Sequence, residues 1–148
     1  MYNLLLIILL FNAFSFAIAY RKAKSNKTIL SRPYRVCEFF GSFVWADHIL
    51  FGPFWVAVSL ITFLLHDTLL FLLIFCIFWL VRSGGETLYW FFQQFHPRVG
   101  NEPEQFWIHK HVPGEAVWFM HQIFWQCIIV ISTILTIYLS FLWLTRGA

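Results

Sequence analysis

Seven side chains in this sequence could act together as a chemical site: Asp47, His48, Arg82, Glu86, His121, Gln122 and Gln126. They are far apart along the chain, yet each lies within or at the edge of an apolar run. An isolated charge at a bilayer centre costs at least about 2.5–3.5 kcal/mol, so ionisable groups in such runs are expected to have partners. Arg82 and Glu86 are spaced to meet across one helical turn, either as a self-neutralising salt bridge or as the centre of a binding site. Counted at 1.5 Å per residue, Asp47, Glu86 and Gln126 all fall roughly 27 Å down their helices from one end. His48 sits beside them, Arg82 somewhat deeper, and His121 and Gln122 nearer the other end. The expectation is one polar layer near the inner leaflet.

Two kinds of site would use these groups. A non-enzymatic cavity would bind a small amphipathic ligand or ion, or dock a partner membrane protein. The alternative is a membrane-embedded enzyme, with Glu86 or His121 as general acid or base on a lipid-like substrate. Imidazole and carboxylate also suit Zn, Fe or Mn, and His48 with His121 could supply axial ligands to a haem. The spacing gives metal little support: the sequence has no HExxH and no Glu-x-x-His pair. Ser83 lacks the surroundings of an activated nucleophile, and Gly84-Gly85 lacks those of a phosphate-binding loop. Neither an enzymatic activity nor a cofactor is specified at this level.

The elements that must position these residues follow from composition. The chain has 148 residues, 60% hydrophobic and 11% charged; soluble domains carry about 25% charged residues. A soluble enzyme, a disordered chain and a nucleic-acid-binding domain are excluded as the main reading. Four apolar stretches stand out, at 3–20, 43–65, 68–92 and 113–144. Each is long enough for a helix across a hydrocarbon core about 30 Å thick, provided the third continues past Arg82. Lipid offers backbone groups no hydrogen-bonding partner, so helices are the economical choice. The expected fold is all-α: a polytopic membrane bundle of four transmembrane helices forming one domain over residues 1–148. Ser83-Gly84-Gly85 decides the third span. It is read as continuous helix with a small-residue face; a break there would leave 86–95 as an interfacial helix.

Charge placement orients the bundle. Arg21, Lys22, Lys24, Lys27, Arg32 and Arg35 crowd the segment 21–42, and every other Lys or Arg except Arg146 lies on or near the same face. The positive-inside rule makes this face cytoplasmic, together with the loop 96–112, and leaves both termini on the other side. Ala17-Ile18-Ala19 mimics a signal cleavage site, but the charge follows the apolar core instead of preceding it, which suits an uncleaved anchor. Expected partners are membrane lipids, including anionic headgroups on the basic segment, and a second copy or another membrane protein; nucleic acid is not expected. Localisation is integral and multi-pass.

Polar residues gather on helix faces. On helix four Glu115, Gln122, Gln126, Thr133, Thr136 and Ser140 fall in a sector about 80° wide, with His121 about 100° off its centre. On helix two His48, Ser59, Thr62 and His66 share a face with Trp55, and helix one offers Asn12, Ser15 and Ala19. These stripes are expected to face the bundle interior, most of them simply as packing contacts. Cys37, Cys76 and Cys127 form no CxxC pair and read as buried small hydrophobes. Pro113 is expected in the first turn of helix four, and His66-Asp67 as a tight turn.

Overall fold

The computed structural model describes residues 2–24, 45–95, 111, 112, 114 and 116–146. They form four helices: α1 Tyr2–Lys24, α2 Trp45–Leu64, α3 Thr68–Gln93 and α4 Ala116–Thr145. Three carry segments long and apolar enough to cross a membrane: Asn3–Arg21 in α1, Thr68–Gln93 and Ala116–Thr145. The second helix differs from expectation, because its unbroken apolar stretch, Ile49–Leu64, is shorter than theirs. Asp47 and His48 occupy the turn that would have completed it. The expected start of helix four at Pro113, the loop 96–110 and most of the basic segment lie outside the described residues; Arg21 and Lys24 are exposed at the end of α1.

Successive helices run antiparallel. Asn12 and Phe16 of α1 meet Ser59 and Gly52 of α2 in reverse order, and Trp90 and Asp67 of α3 meet Trp118 and Trp143 of α4 likewise. The α1–α2 seam follows a three-four spacing on both sides, with Leu5, Ile8, Asn12, Ser15 and Ala19 against Gly52, Trp55, Ser59 and Thr62. Apolar attraction does not drive helices together in lipid, so close approach of small residues and hydrogen bonds must do it. Ala19, Ser59 and Thr62 are fully buried here. The Asn12 amide donates to Ser59 Oγ at 2.7 Å, and Thr62 returns its hydroxyl to the Val58 carbonyl at 2.8 Å. Gly52 marks a close approach in the seam: a Cβ built on it would stand 2.5 Å from Phe16 Cδ2.

The α3–α4 seam is aromatic instead. Trp90, Val117, Trp118 and Trp125 form its buried core. Trp90 stacks on Trp118 and Trp79 on Trp125, with centroids 5.6 and 6.2 Å apart. Such pairs contribute about 0.5–1.5 kcal/mol each beyond area burial. They also decide which face of α4 turns inward. The fully buried positions are Val117, Trp118, His121 and Trp125, whereas Gln122, Gln126, Thr133, Thr136 and Ser140 are only half-buried along one flank. The polar stripe expected inside is therefore displaced by the bulkier indoles. Thr133 instead satisfies its hydroxyl on the Ile129 carbonyl of its own helix at 2.8 Å. Cys76 is buried as expected, but Cys127 is exposed on the outer face of α4.

Helix α3 is continuous through Ser83-Gly84-Gly85. Ser83 is buried and bonds back to the Trp79 carbonyl at 2.6 Å. Among the described residues a Cβ at Gly84 or Gly85 would meet nothing within 4 Å, so no described helix packs on the expected small-residue face.

The turn between α2 and α3 ties three elements together. His66 takes the left-handed conformation, φ 54°, and Asp67 N–H donates to the Thr62 carbonyl at 3.0 Å, closing α2 in a Schellman-type turn. Asp67 then caps α3, accepting from Leu70 N–H at 3.0 Å. The same carboxylate receives Arg146 at 2.7 Å and Trp143 Nε1 at 3.1 Å from the far end of α4.

Two predictions follow from these contacts. Burial pushes the Asp67 carboxyl upward, but the Leu70, Arg146 and Trp143 hydrogen bonds and the Arg146 charge outweigh it and hold the group below its usual 3.8. A depressed folded value means that the stabilisation is complete above 3.8 and is lost as pH falls through the lower folded value. Thermal unfolding in detergent should therefore show Asp67→Asn less stable by about 1 kcal/mol at neutral pH and insensitive to acid where the parent weakens. Separately, Gly52→Ala should destabilise by about 1–3 kcal/mol through overpacking on Phe16, and Phe16→Leu in the same chain should recover part of the loss.

Candidate functional site

Arg82 is the fixed point of the site. A guanidinium stays charged in any protein environment, so a membrane-spanning helix that carries one must supply anions nearby. Arg82 Nη2 lies 2.7 Å from Glu86 Oε1 on its own helix and 3.7 Å from Asp47 Oδ2 on α2. Its side chain and those of Asp47 and Glu86 retain only 22%, 18% and 14% of their exposure. The guanidinium carbon also stands 5.6 Å from the centroid of the Phe51 ring, a cation–π position. Among the described residues, two carboxylates thus face one guanidinium, the intrahelical contact being the tighter.

A second contact extends the group to α4 through an indole. Glu86 Oε2 accepts from Trp90 Nε1 at 3.1 Å, and the Trp90 ring stacks on His121 with centroids 4.5 Å apart. His121 is 1% exposed, with Nδ1 2.8 Å from the Val117 carbonyl, so that nitrogen is the one that donates. Glu86 and His121 are both in contact with Trp90, one at its N–H and the other at its face.

The other sequence-derived candidates take different places. Gln122 accepts a hydrogen bond from Gln94 at the C-cap of α3. Gln126 is half-buried one turn further along α4, and among the described residues no hydrogen bond ties it to Arg82 and its partners. His48 belongs to the first turn of α2, with its side chain outside the described residues. No group of three or more His, Cys, Asp or Glu side chains that could hold a metal ion occurs among the described residues.

Beside this group lies a groove of about 390 Å³. Its floor is one face of α2, formed by Asp47, Phe51, Gly52 and Trp55. Phe11, Ser15 and Phe16 of α1 line one wall, and Phe71, Phe75, Phe78 and Trp79 of α3 the other. The aromatic rings hold it open. Trp55 meets Phe78 edge-on at 4.8 Å and Phe51 meets the same ring at 5.3 Å, so side chains rather than backbones set the α2–α3 separation. At 1.5 Å per residue the lining from Asp47 to Trp55 extends about 12 Å along the bundle. Of the seven candidates, Asp47 is the one on its wall.

Trp90 and the groove aromatics other than Trp55, which falls on the polar face of helix two, are not read from sequence as parts of a site. Trp90 follows Glu86 by four residues, the spacing at which an indole N–H can reach a carboxylate. Trp118, His121 and Trp125 likewise share one face of α4 at helical spacing. No family of known proteins, no curated protein sequence and no solved structure matches the chain.

Glu86→Gln removes the closer anion from Arg82 and leaves a desolvated cation with Asp47 at 3.7 Å. Denaturation followed by helical circular dichroism should show a loss of about 1–3 kcal/mol. Replacing Arg82 and Glu86 by Leu together with Asp47→Asn should cost less than Glu86→Gln alone, because the guanidinium and both carboxylates that face it are then removed together.

Proposed function

We propose that this small helical membrane protein binds an amphipathic ligand, holding its apolar chain in the groove between α1, α2 and α3 and its polar head beside Asp47, Arg82 and Glu86. The carrying observation is the groove itself: about 390 Å³, lined mostly by Phe and Trp, with Asn12 and Ser15 on the α1 side and a single carboxylate, Asp47. A site of this composition, mostly apolar with a few placed polar groups, is the usual form of a small-molecule pocket. Two of the three helices around it, α1 and α3, carry segments long and apolar enough to span a membrane, so a ligand entering sideways would come from the hydrocarbon. Under this reading the bundle has four spans, the Asp47 end faces the cytoplasm, and the basic segment 21–42 engages anionic headgroups on that side. A second copy or another membrane protein would then pack against the exposed apolar face of α4.

The catalytic alternative draws less support from the geometry. A general acid and base need hydrogen-bonding reach to a shared reacting group. Glu86 spends one oxygen on Arg82 and the other on Trp90, while His121 is packed beneath the Trp90 ring.

Ser15→Trp would fill the groove from the α1 wall without touching Arg82 or its carboxylates. Protein purified in mild detergent should carry about one chain-bearing molecule per polypeptide by native mass spectrometry. The Ser15→Trp protein, with unchanged helical circular dichroism, should lose it. Equal retention by both proteins would place the ligand elsewhere and overturn the reading.

A further inference from the structure

Resting on that reading, we infer that the groove takes amphiphiles with a carbonyl oxygen partway along the apolar body in preference to plain hydrocarbon chains. The inference stands on two hydrogen-bond donors at one level of the lining, Ser15 of α1 and Trp55 of α2. The antiparallel seam sets them level, because Asn12 meets Ser59 on one side of them and Phe16 meets Gly52 on the other. Elsewhere in the spans such donors are used within the protein. Thr62, Ser83 and Thr133 return their hydroxyls to carbonyls of their own helices, and the Trp90 and Trp143 indoles donate to carboxylates. Among the described residues, Ser15 Oγ and Trp55 Nε1 have no such bond.

A donor left without an acceptor is costly where water is absent, and hydrocarbon supplies no acceptor. An indole N–H donates and never accepts, so whatever completes Trp55 must be an acceptor. The Ser15 hydroxyl can rotate to donate to the same atom, and a carbonyl oxygen has lone pairs for both. Asn12, one turn along the α1 wall, commits its amide nitrogen to Ser59 at 2.7 Å. The lining around this level is otherwise ring surface, from Phe11, Phe16, Phe71 and Phe75. Position therefore matters as much as polarity. Trp55 lies eight residues beyond Asp47, so the carbonyl falls about 12 Å from a head held at the Asp47 end.

The experiment uses octadecyl maltosides with a photoreactive diazirine at the tail. One has a plain chain, and three carry an isotope-labelled ketone near the head, midway or near the tail. Each is added to the full chain in neutral detergent, irradiated, and mapped by peptide mass spectrometry, while infrared spectroscopy follows the ketone stretch. The expected result is labelling of 8–16 and 71–79 by the midway ketone at about tenfold lower concentration than by the plain chain, with its stretch lowered by hydrogen bonding. Ser15→Ala and Trp55→Phe, which remove one donor each, should each reduce that preference by about threefold. The parent comparison needs no variant, so it stands even if a variant fails to fold. Equal or better labelling of the groove by any other probe, or a preference that both variants keep in full, overturns the inference and leaves the groove reading intact. Failure of all four probes to label 8–16 and 71–79 overturns the groove reading itself.

Discussion

A guanidinium that cannot lose its proton, set within an apolar helix, is the constraint around which this bundle is organised. Arg82 must be matched, and the two anions that match it come from different helices. Glu86 does so locally, one turn away. Asp47 does so across the α2–α3 gap, which brings the start of α2 to the level of Arg82. Glu86 in turn fixes the Trp90 indole, and Trp90 carries the α4 partners Trp118 and His121. A single charge thereby links α2, α3 and α4 at one depth. At the opposite end Asp67 performs a similar task, joining the α2–α3 turn to the last turn of α4 through Arg146 and Trp143.

The two ways of packing helices in this chain have opposite consequences for open space. Where α1 meets α2, Asn12, Ser59 and Gly52 let the two helices approach closely, to the point that a Cβ on Gly52 would run into Phe16. Where α2 faces α3 the contacts are Phe51, Trp55, Phe71, Phe75 and Phe78, whose rings keep the helices apart. A groove is the geometric remainder of one tight seam next to one wide one. Its chemistry is inherited largely from the spacers, which makes it apolar and aromatic except at Asn12, Ser15 and Asp47.

Much of the architecture was legible in the sequence because bilayer thickness and backbone hydrogen bonding restrict what an apolar run can be. Helix positions, the His66-Asp67 turn, the Arg82–Glu86 pair and the polar contacts of Asn12, Ser59 and Thr62 all follow from periodicity and from the cost of unpaired polarity. The α4 stripe did not turn inward as that argument expects. Hydropathy weighs Gln122 and Thr136 as polar and therefore interior, but in lipid the inward face is chosen by packing. Trp118 and Trp125 offer more contact there, while Thr133 satisfies itself on its own helix. The groove was illegible for a related reason: aromatic residues read equally well as lipid-facing, belt or cavity positions, and only their relative placement separates these roles.

The claim on which the account turns is that the space between α1, α2 and α3 is a binding site for an apolar chain. Electron cryomicroscopy of the full chain in lipid nanodiscs, with a rigid fiducial on the membrane-external surface, tests it most directly. The account predicts an elongated density against Phe71, Phe75 and Phe78 that ends beside Asp47. Phe11 and Phe16 packed directly onto α3, with the groove closed in lipid, would contradict it.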